Sequence, residues 1–120
     1  MKNDRYEWIR DGCEGMELDA VWDYVIEDAS TFEDRKALFL HVLERLLREG
    51  HIKLIHLHTR IPMCGTVKEQ IQQFSDAFPK TMEQMDLGWR EGSGTWFLTE
   101  QCPGGSAWQV PPLTGDQLPE

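Results

Sequence analysis

The sequence lacks any Lys or Arg between Asp11 and Asp34, although this segment holds nine acidic residues. The other twelve acidic residues are matched by twelve Lys and Arg, so the net charge of −9 belongs to this one segment. A one-sided acidic field repels phosphate backbones and attracts basic partners. We therefore exclude nucleic-acid binding and expect a basic protein as the partner.

The chain is also poor in cysteine and in long apolar runs. Its three cysteines, Cys13, Cys64 and Cys102, form no Cys-x-x-Cys pair. An odd, scattered set argues against a disulfide framework and for reduced thiols in the cytoplasm. No apolar run is long enough to cross a bilayer, and the first residues, MKNDRYEWIRDG, do not resemble a signal peptide. We expect a cytoplasmic protein that does not bind membranes.

A chain of 120 residues with five Trp and five Phe is large enough for one core. We predict a single domain over 1–120, with its core in about 14–110 and a Pro-rich tail over 111–120. No cofactor or metal is needed for folding.

Helical signals fill most of the first eighty residues. MELDAVWDYVIEDA has apolar residues at helical spacing from Leu18 to Ala29, after a short helix around 4–10. Ser30 and Glu33 have capping-box spacing for a long helix that Gly50 would end. Thr66 and Glu69 repeat that spacing before a helix ended by Pro79, and one further turn follows within 80–94.

Two segments have patterns that predict extended structure. HIKLIHLH, directly after Gly50, is typical of a strand. TWFLTEQCPGGSAWQV, residues 95–110, alternates on both sides of Pro103 and Gly104-Gly105, which predicts a β-hairpin with Trp96 and Trp108 packed across it. The predicted fold class is α+β, with helices on one side of a small, mostly antiparallel sheet and a C-terminal β-hairpin. Such an edge would let two copies pair as a homodimer.

Few residues have a pattern suited to chemistry. His56 and His58 would share one face of the strand, a spacing that can chelate zinc if a third ligand is near. Cys64 precedes a helix start, a position that can activate a thiol. Histidines that are only exposed or hydrogen-bonded and thiols that are inert explain the same residues, so no catalytic or metal site is predicted.

The acidic segment is the better candidate site. Asp19, Asp23 and Glu27 are spaced i, i+4, i+8 and would form one ridge, widened by Glu17 and Asp28. Like charges at this spacing destabilise a helix. Tyr24 would lie beside the ridge, and an exposed aromatic residue among acids is typical of a binding surface. A solvated polar face remains the alternative.

Four stretches together resemble a known family: LDAVWDYV, LERLLREGHIKLI, TVKEQIQQFSDAFP and TWFLTEQCPGGSAW. They are similar, over about 14–110, to small acidic bacterial proteins first classed as a domain of unknown function. Some members act as immunity proteins of polymorphic toxin systems, notably contact-dependent growth inhibition. The helix-to-strand junction also resembles a winged helix, but the predicted helix over 66–78 separates the strand from any wing.

The resemblance implies a non-enzymatic immunity protein that binds the C-terminal domain of a cognate toxin. Many such toxins are nucleases with basic clefts, which the acidic helix would fit. Two alternatives stay open: a small metal- or thiol-dependent enzyme using His56, His58 and Cys64, and an acidic adaptor for another basic protein.

Overall fold

The protein is described by a computed structural model that covers residues 1–119. Within these residues, helices precede and separate the two strands of a small sheet. The α-helices are α1 (Asn3–Cys13), α2 (Leu18–Tyr24), α3 (Phe32–Arg48), α4 (Val67–Ala77) and α5 (Met82–Asp86), and the strands are β1 (Ile52–Ile55) and β2 (Gly105–Trp108). Short 3-10 helices occupy Ile26–Asp28, Thr95–Leu98 and Gly115–Gln117. No helix in the described part of the chain is long and apolar enough to cross a bilayer.

Helix α3 begins and ends with local signals in its own sequence. The N-cap is Thr31, whose hydroxyl accepts a hydrogen bond from the Asp34 amide at 3.0 Å. The predicted capping box at Ser30 and Glu33 is therefore wrong by one residue. At the other end, Gly50 has φ of 79° and the amide of His51 donates to the Leu46 carbonyl at 2.9 Å. This Schellman motif stops the helix as predicted and turns the chain directly into β1.

The sheet consists of β1 and β2 in antiparallel register, with Ile52 opposite Trp108 and Ile55 opposite Gly105. The α+β fold class and the antiparallel sheet are thus confirmed. The strand that pairs with β2 differs from the expected one, however, because it is β1 rather than residues 95–99. Those residues form the 3-10 helix Thr95–Leu98.

Burial explains why residues 95–98 do not form a strand. Trp96 and Phe97 are adjacent in sequence, and each is only 4% exposed. A strand would send neighbouring side chains to opposite faces, whereas a helical turn lets both enter one core. Both rings pack on Phe78, at centroid distances of 5.2 and 6.3 Å. Trp108 does not pack across from Trp96; its indole N–H donates to the Met16 carbonyl at 2.9 Å.

The predicted helices over 66–78 and within 80–94 are confirmed. Thr66 and Glu69 form a complete capping box at the start of α4, and α5 supplies the further turn. In the tail, the Leu113 amide donates to the Gly50 carbonyl at 2.8 Å, so the chain after β2 packs back on the end of α3. The last residue of the predicted tail, Glu120, lies outside the described residues.

Candidate partner-binding surface

The acidic segment does not form one continuous helix. Helix α2 ends at Tyr24, and Ile26–Asp28 follows as a 3-10 turn that leaves Ile26 exposed. The expectation of a single ridge on one α-helix, with Ile26 in its buried stripe, is therefore wrong. Asp19 and Asp23 lie on α2, while Glu27 and Asp28 lie on the 3-10 turn.

Arg35, from the first turns of α3, accounts for this break. Its Nε and one terminal nitrogen donate to the Trp22 carbonyl at 3.0 and 2.8 Å. In a continuing α-helix that carbonyl would accept from the amide of residue 26. The guanidinium thus satisfies the end of α2 and replaces the hydrogen bond that would have extended it.

The environment of Arg35 is nearly closed to solvent. The residue is 5% exposed, and its guanidinium carbon lies 3.9 Å from the centre of a Trp22 ring. A carboxylate oxygen of Asp23 is 3.6 Å from the guanidinium. Burial lowers the pKa of Arg35, and the charges of Asp23 and Asp86 oppose that shift. Arg35 therefore holds the end of α2, which carries Asp23, in place from the buried side of the helix.

Asp23 keeps most of its side chain in solvent, with 61% exposed. Partial burial is the main cause that raises its pKa, and the nearby charges of Asp19 and Asp86 raise it further. Arg35 acts in the opposite direction without cancelling these effects. The environment of Asp23 in the free protein therefore disfavours the ionised carboxylate. A positive charge on a basic partner would stabilise that ionised form.

At the other end of the surface, Arg5 on α1 contacts the two acids of the 3-10 turn. Its Nε lies 2.8 Å from an Asp28 oxygen, and a terminal nitrogen lies 3.5 Å from a Glu27 oxygen. The same guanidinium stacks over Trp8 with 4.2 Å to the ring centre. Although no cation occurs within 11–34, one is brought there by the packing of α1, so these acids are partly neutralised.

Tyr24 forms an aromatic pair with Trp8, with ring centroids 5.0 Å apart. The pair depends on Gly12, because a Cβ at that position would lie 2.4 Å from Cε2 of Tyr24. A groove of about 240 Å³ runs along the pair and is lined by Trp8, Asp23, Tyr24 and Glu27. We call these four residues the acidic groove. Two aromatic rings flanked by two carboxylates suit a cationic side chain of a partner protein.

The structure brings together some of the predicted site residues and separates others. Asp23, Tyr24 and Glu27 share the acidic groove, and Asp28 adjoins it through Arg5. Tyr24 is half-buried against the core rather than exposed as expected. Asp19 lies toward Gly94, since a Cβ there would be 3.7 Å from that of Asp19. Glu17 lies at the start of α2 near the sheet, with one carboxylate oxygen 3.6 Å from the Cβ position of Gly105. Glu17 is therefore not part of the groove.

Trp8 and Arg5 were not predicted from the sequence. The helical spacing of α1 is the sequence feature that could have placed Trp8 on the outer face of that helix, because Tyr6, Ile9 and Cys13 are buried on the opposite side. Nothing in the sequence indicates that this face meets Tyr24, because that contact depends on how α1 packs against α2.

The histidines do not share a strand face as expected. Strand β1 ends at Ile55, and a turn follows in which the Arg60 amide donates to the His56 carbonyl at 2.8 Å. The His58 Nε2 is 3.4 Å from an exposed carboxylate oxygen of Glu100. Across residues 1–119, no three His, Cys, Asp or Glu side chains are grouped as metal ligands would be.

The three cysteines differ in accessibility. Cys13 and Cys102 are buried, and burial raises the pKa of each thiol to about 12. The Cys102 sulfur donates to the Gly104 carbonyl at 3.3 Å. Cys64 is exposed, in the loop before α4. Two of the three thiols are therefore held in their neutral, unreactive form.

These features define a small α+β protein with an acidic, aromatic surface on its first two helices. Residues 47–116 match the family described as a protein of unknown function, DUF596, and the chain belongs to that family. The structure is similar to that of an uncharacterized protein conserved in bacteria, from Neisseria meningitidis, with a TM-score of 0.74 at 23% identity. That match covers 98% of this chain and 86% of the other. No curated protein matches the chain.

Proposed function

We propose that this chain is an immunity protein that acts in the bacterial cytoplasm and neutralises a cognate toxin domain by binding it. The toxin is a basic nuclease of a contact-dependent growth inhibition system, and the chain itself carries out no reaction. The observation that supports this most is the acidic groove, in which two carboxylates from the segment that carries the whole net charge flank the exposed Trp8 and the half-buried Tyr24.

The geometry suits a basic cleft in two ways. Exposed carboxylates on α2 would meet the Lys and Arg residues with which a nuclease holds phosphate, and would speed association by steering. The Trp8–Tyr24 pair would supply apolar contact and cation–π interaction once water is excluded. Binding would also relieve the unfavourable environment of the Asp23 carboxylate.

Co-expression with the C-terminal domain of the toxin encoded next to this gene tests the proposal. The wild-type chain should restore growth, and the triple variant Asp19→Lys, Asp23→Lys, Glu27→Lys should not. A matched control makes the same charge change at exposed acids outside the segment: Asp76→Lys, Glu100→Lys, Asp116→Lys. That control should still protect.

Purified proteins give the quantitative form of the test. With an inactivated toxin domain, the association rate of the wild-type chain should fall steeply between low and physiological salt. Failure of the wild-type chain to bind would refute the immunity function and favour an adaptor for another basic protein. Binding with equal affinity by the triple variant would refute only the role of this surface.

A further inference from the structure

The loop between α5 and the 3-10 helix at 95–98 is built around one buried carboxylate. Asp86 is 4% exposed, and its two oxygens accept hydrogen bonds from the amides of Gly92 and Gly94, each at 2.9 Å. Its backbone carbonyl accepts from the Trp89 amide, also at 2.9 Å. A charge-assisted bond at both oxygens holds the two ends of the loop together.

The backbone of this loop is tightly turned. Leu87, Gly88, Gly92 and Gly94 all have positive φ, between 53° and 81°. The left-handed region disfavours a Leu, so its conformation is imposed by the surrounding hydrogen bonds. The loop is thus held in one shape rather than left to sample many.

This fixed loop presents the most exposed tryptophan of the chain. Trp89 is 72% exposed, whereas Trp22 and Trp96 are buried. An indole left in water on an ordered loop is the kind of residue that dominates binding interfaces, because its burial by a partner removes a large apolar area at little cost in conformational entropy.

The loop borders the acidic segment. Its last residue, Gly94, adjoins Asp19, and Glu91 lines a depression of about 270 Å³ together with Ile26 and Arg35. Ile26 is the residue that the 3-10 turn leaves exposed. The depression therefore joins the loop, through Glu91, to the 3-10 turn, through Ile26, and that turn also carries Glu27 of the acidic groove.

We infer that Trp89 is an apolar anchor for the same basic protein partner, next to the acidic surface that attracts it. This inference rests on the proposed function and extends the contact surface beyond α1 and α2. The acidic segment that the loop borders, together with the net charge of −9, favours a basic protein over a second copy of this acidic chain, which it would repel.

The test compares Trp89→Ala with Val110→Ala, a change at an apolar residue that is equally exposed, at 74%, two residues after β2. The probe is the inactivated C-terminal domain of the neighbouring toxin, titrated by calorimetry. Trp89→Ala should weaken binding at least about 30-fold, and Val110→Ala by less than about twofold. Because Trp89 is exposed, its variant should keep the wild-type circular dichroism and Tm.

The salt dependence of the affinity distinguishes the contribution of Trp89 from that of the acidic contacts. Trp89→Ala should lower affinity by the same factor at low and high salt, while Asp19→Lys should flatten the salt dependence. Trp89→Phe should recover part of the loss. If wild-type chain binds and Trp89→Ala binds within about twofold of it, the anchor is refuted and the immunity function stands. If the wild-type chain does not bind, both are refuted.

Discussion

Arg35 is the residue whose removal should disturb the acidic surface most. Replacing it with Met keeps a chain of similar length while removing the two hydrogen bonds to Trp22, the stacking on its ring and the contact with Asp23. The carboxylate of Asp23 would then lose the positive charge that lies 3.6 Å from it, and Asp86 would lose the favourable charge of the same guanidinium.

The expected loss follows from this environment. Removing one partner of a buried ionic arrangement usually costs about 3–5 kcal/mol of unfolding free energy, because the other charges remain uncompensated. Asp23 is mostly in solvent, which reduces that penalty, so we expect about 3 kcal/mol. For a domain of this size the Tm should fall by about 10 °C. Arg35→Lys keeps the charge but not the forked geometry and should lose about half as much.

Urea unfolding followed by circular dichroism measures these differences. The matched control is Arg48→Met, in the same helix, where the arginine is exposed and, among residues 1–119, pairs only with Glu44 at 2.8 Å. Such a pair contributes about 0.3–0.5 kcal/mol. A variant Arg35→Met as stable as the wild-type chain would show that the buried guanidinium does not hold α2 and α3 together.

Three further changes test other parts of the structure. Asp23→Asn should raise the unfolding free energy at neutral pH, because the folded pKa of Asp23 is raised and its ionisation is unfavourable. The gain should vanish in urea titrations below about pH 3, where Asp is mostly protonated in both states. An equal gain at every pH would contradict this cause. Gly12→Ala should lower the free energy of unfolding by about 1–3 kcal/mol, because the added methyl group displaces Tyr24 despite the better helix propensity of Ala. Unchanged stability would show that the Trp8–Tyr24 pair tolerates a methyl group. Ellman's reagent at pH 8 should modify Cys64 rapidly and reach Cys13 and Cys102 only in urea, and a second fast thiol would contradict their burial.

The parts of the fold that could be predicted from the sequence are those set by neighbouring residues. Gly50 ends α3 because its φ is positive, and Thr66 with Glu69 starts α4 because both partners of the capping box lie within one turn. Most of the buried residues of α3 and α4 are apolar and recur in the sequence at helical spacing.

The misassigned parts depend on distant contacts. The run from Thr95 to Thr99 is compatible with a strand, yet the adjacent residues Trp96 and Phe97 both enter the aromatic core through a 3-10 turn. The acidic helix stops early because the carbonyl of Trp22 is bonded by Arg35, thirteen residues away. The position of Arg5 beside Asp28 depends on a contact across twenty-three residues. Local periodicity carries no information about such partners.

Because of these arginine contacts, the acidic residues differ in how much of their negative charge remains available to a binding partner. Arg5 neutralises part of the charge of Glu27 and Asp28, and a partner's cation would have to compete with it there. Within residues 1–119, no basic side chain lies within ion-pair distance of Asp19, and Asp23 meets Arg35 only at 3.6 Å. Among the acids beside the acidic groove, those on α2 are therefore the least compensated, and they lie between the aromatic pair of Trp8 and Tyr24 and the loop that carries Trp89. In a basic partner, the cationic residues that matter most should face α2, with apolar contacts on either side.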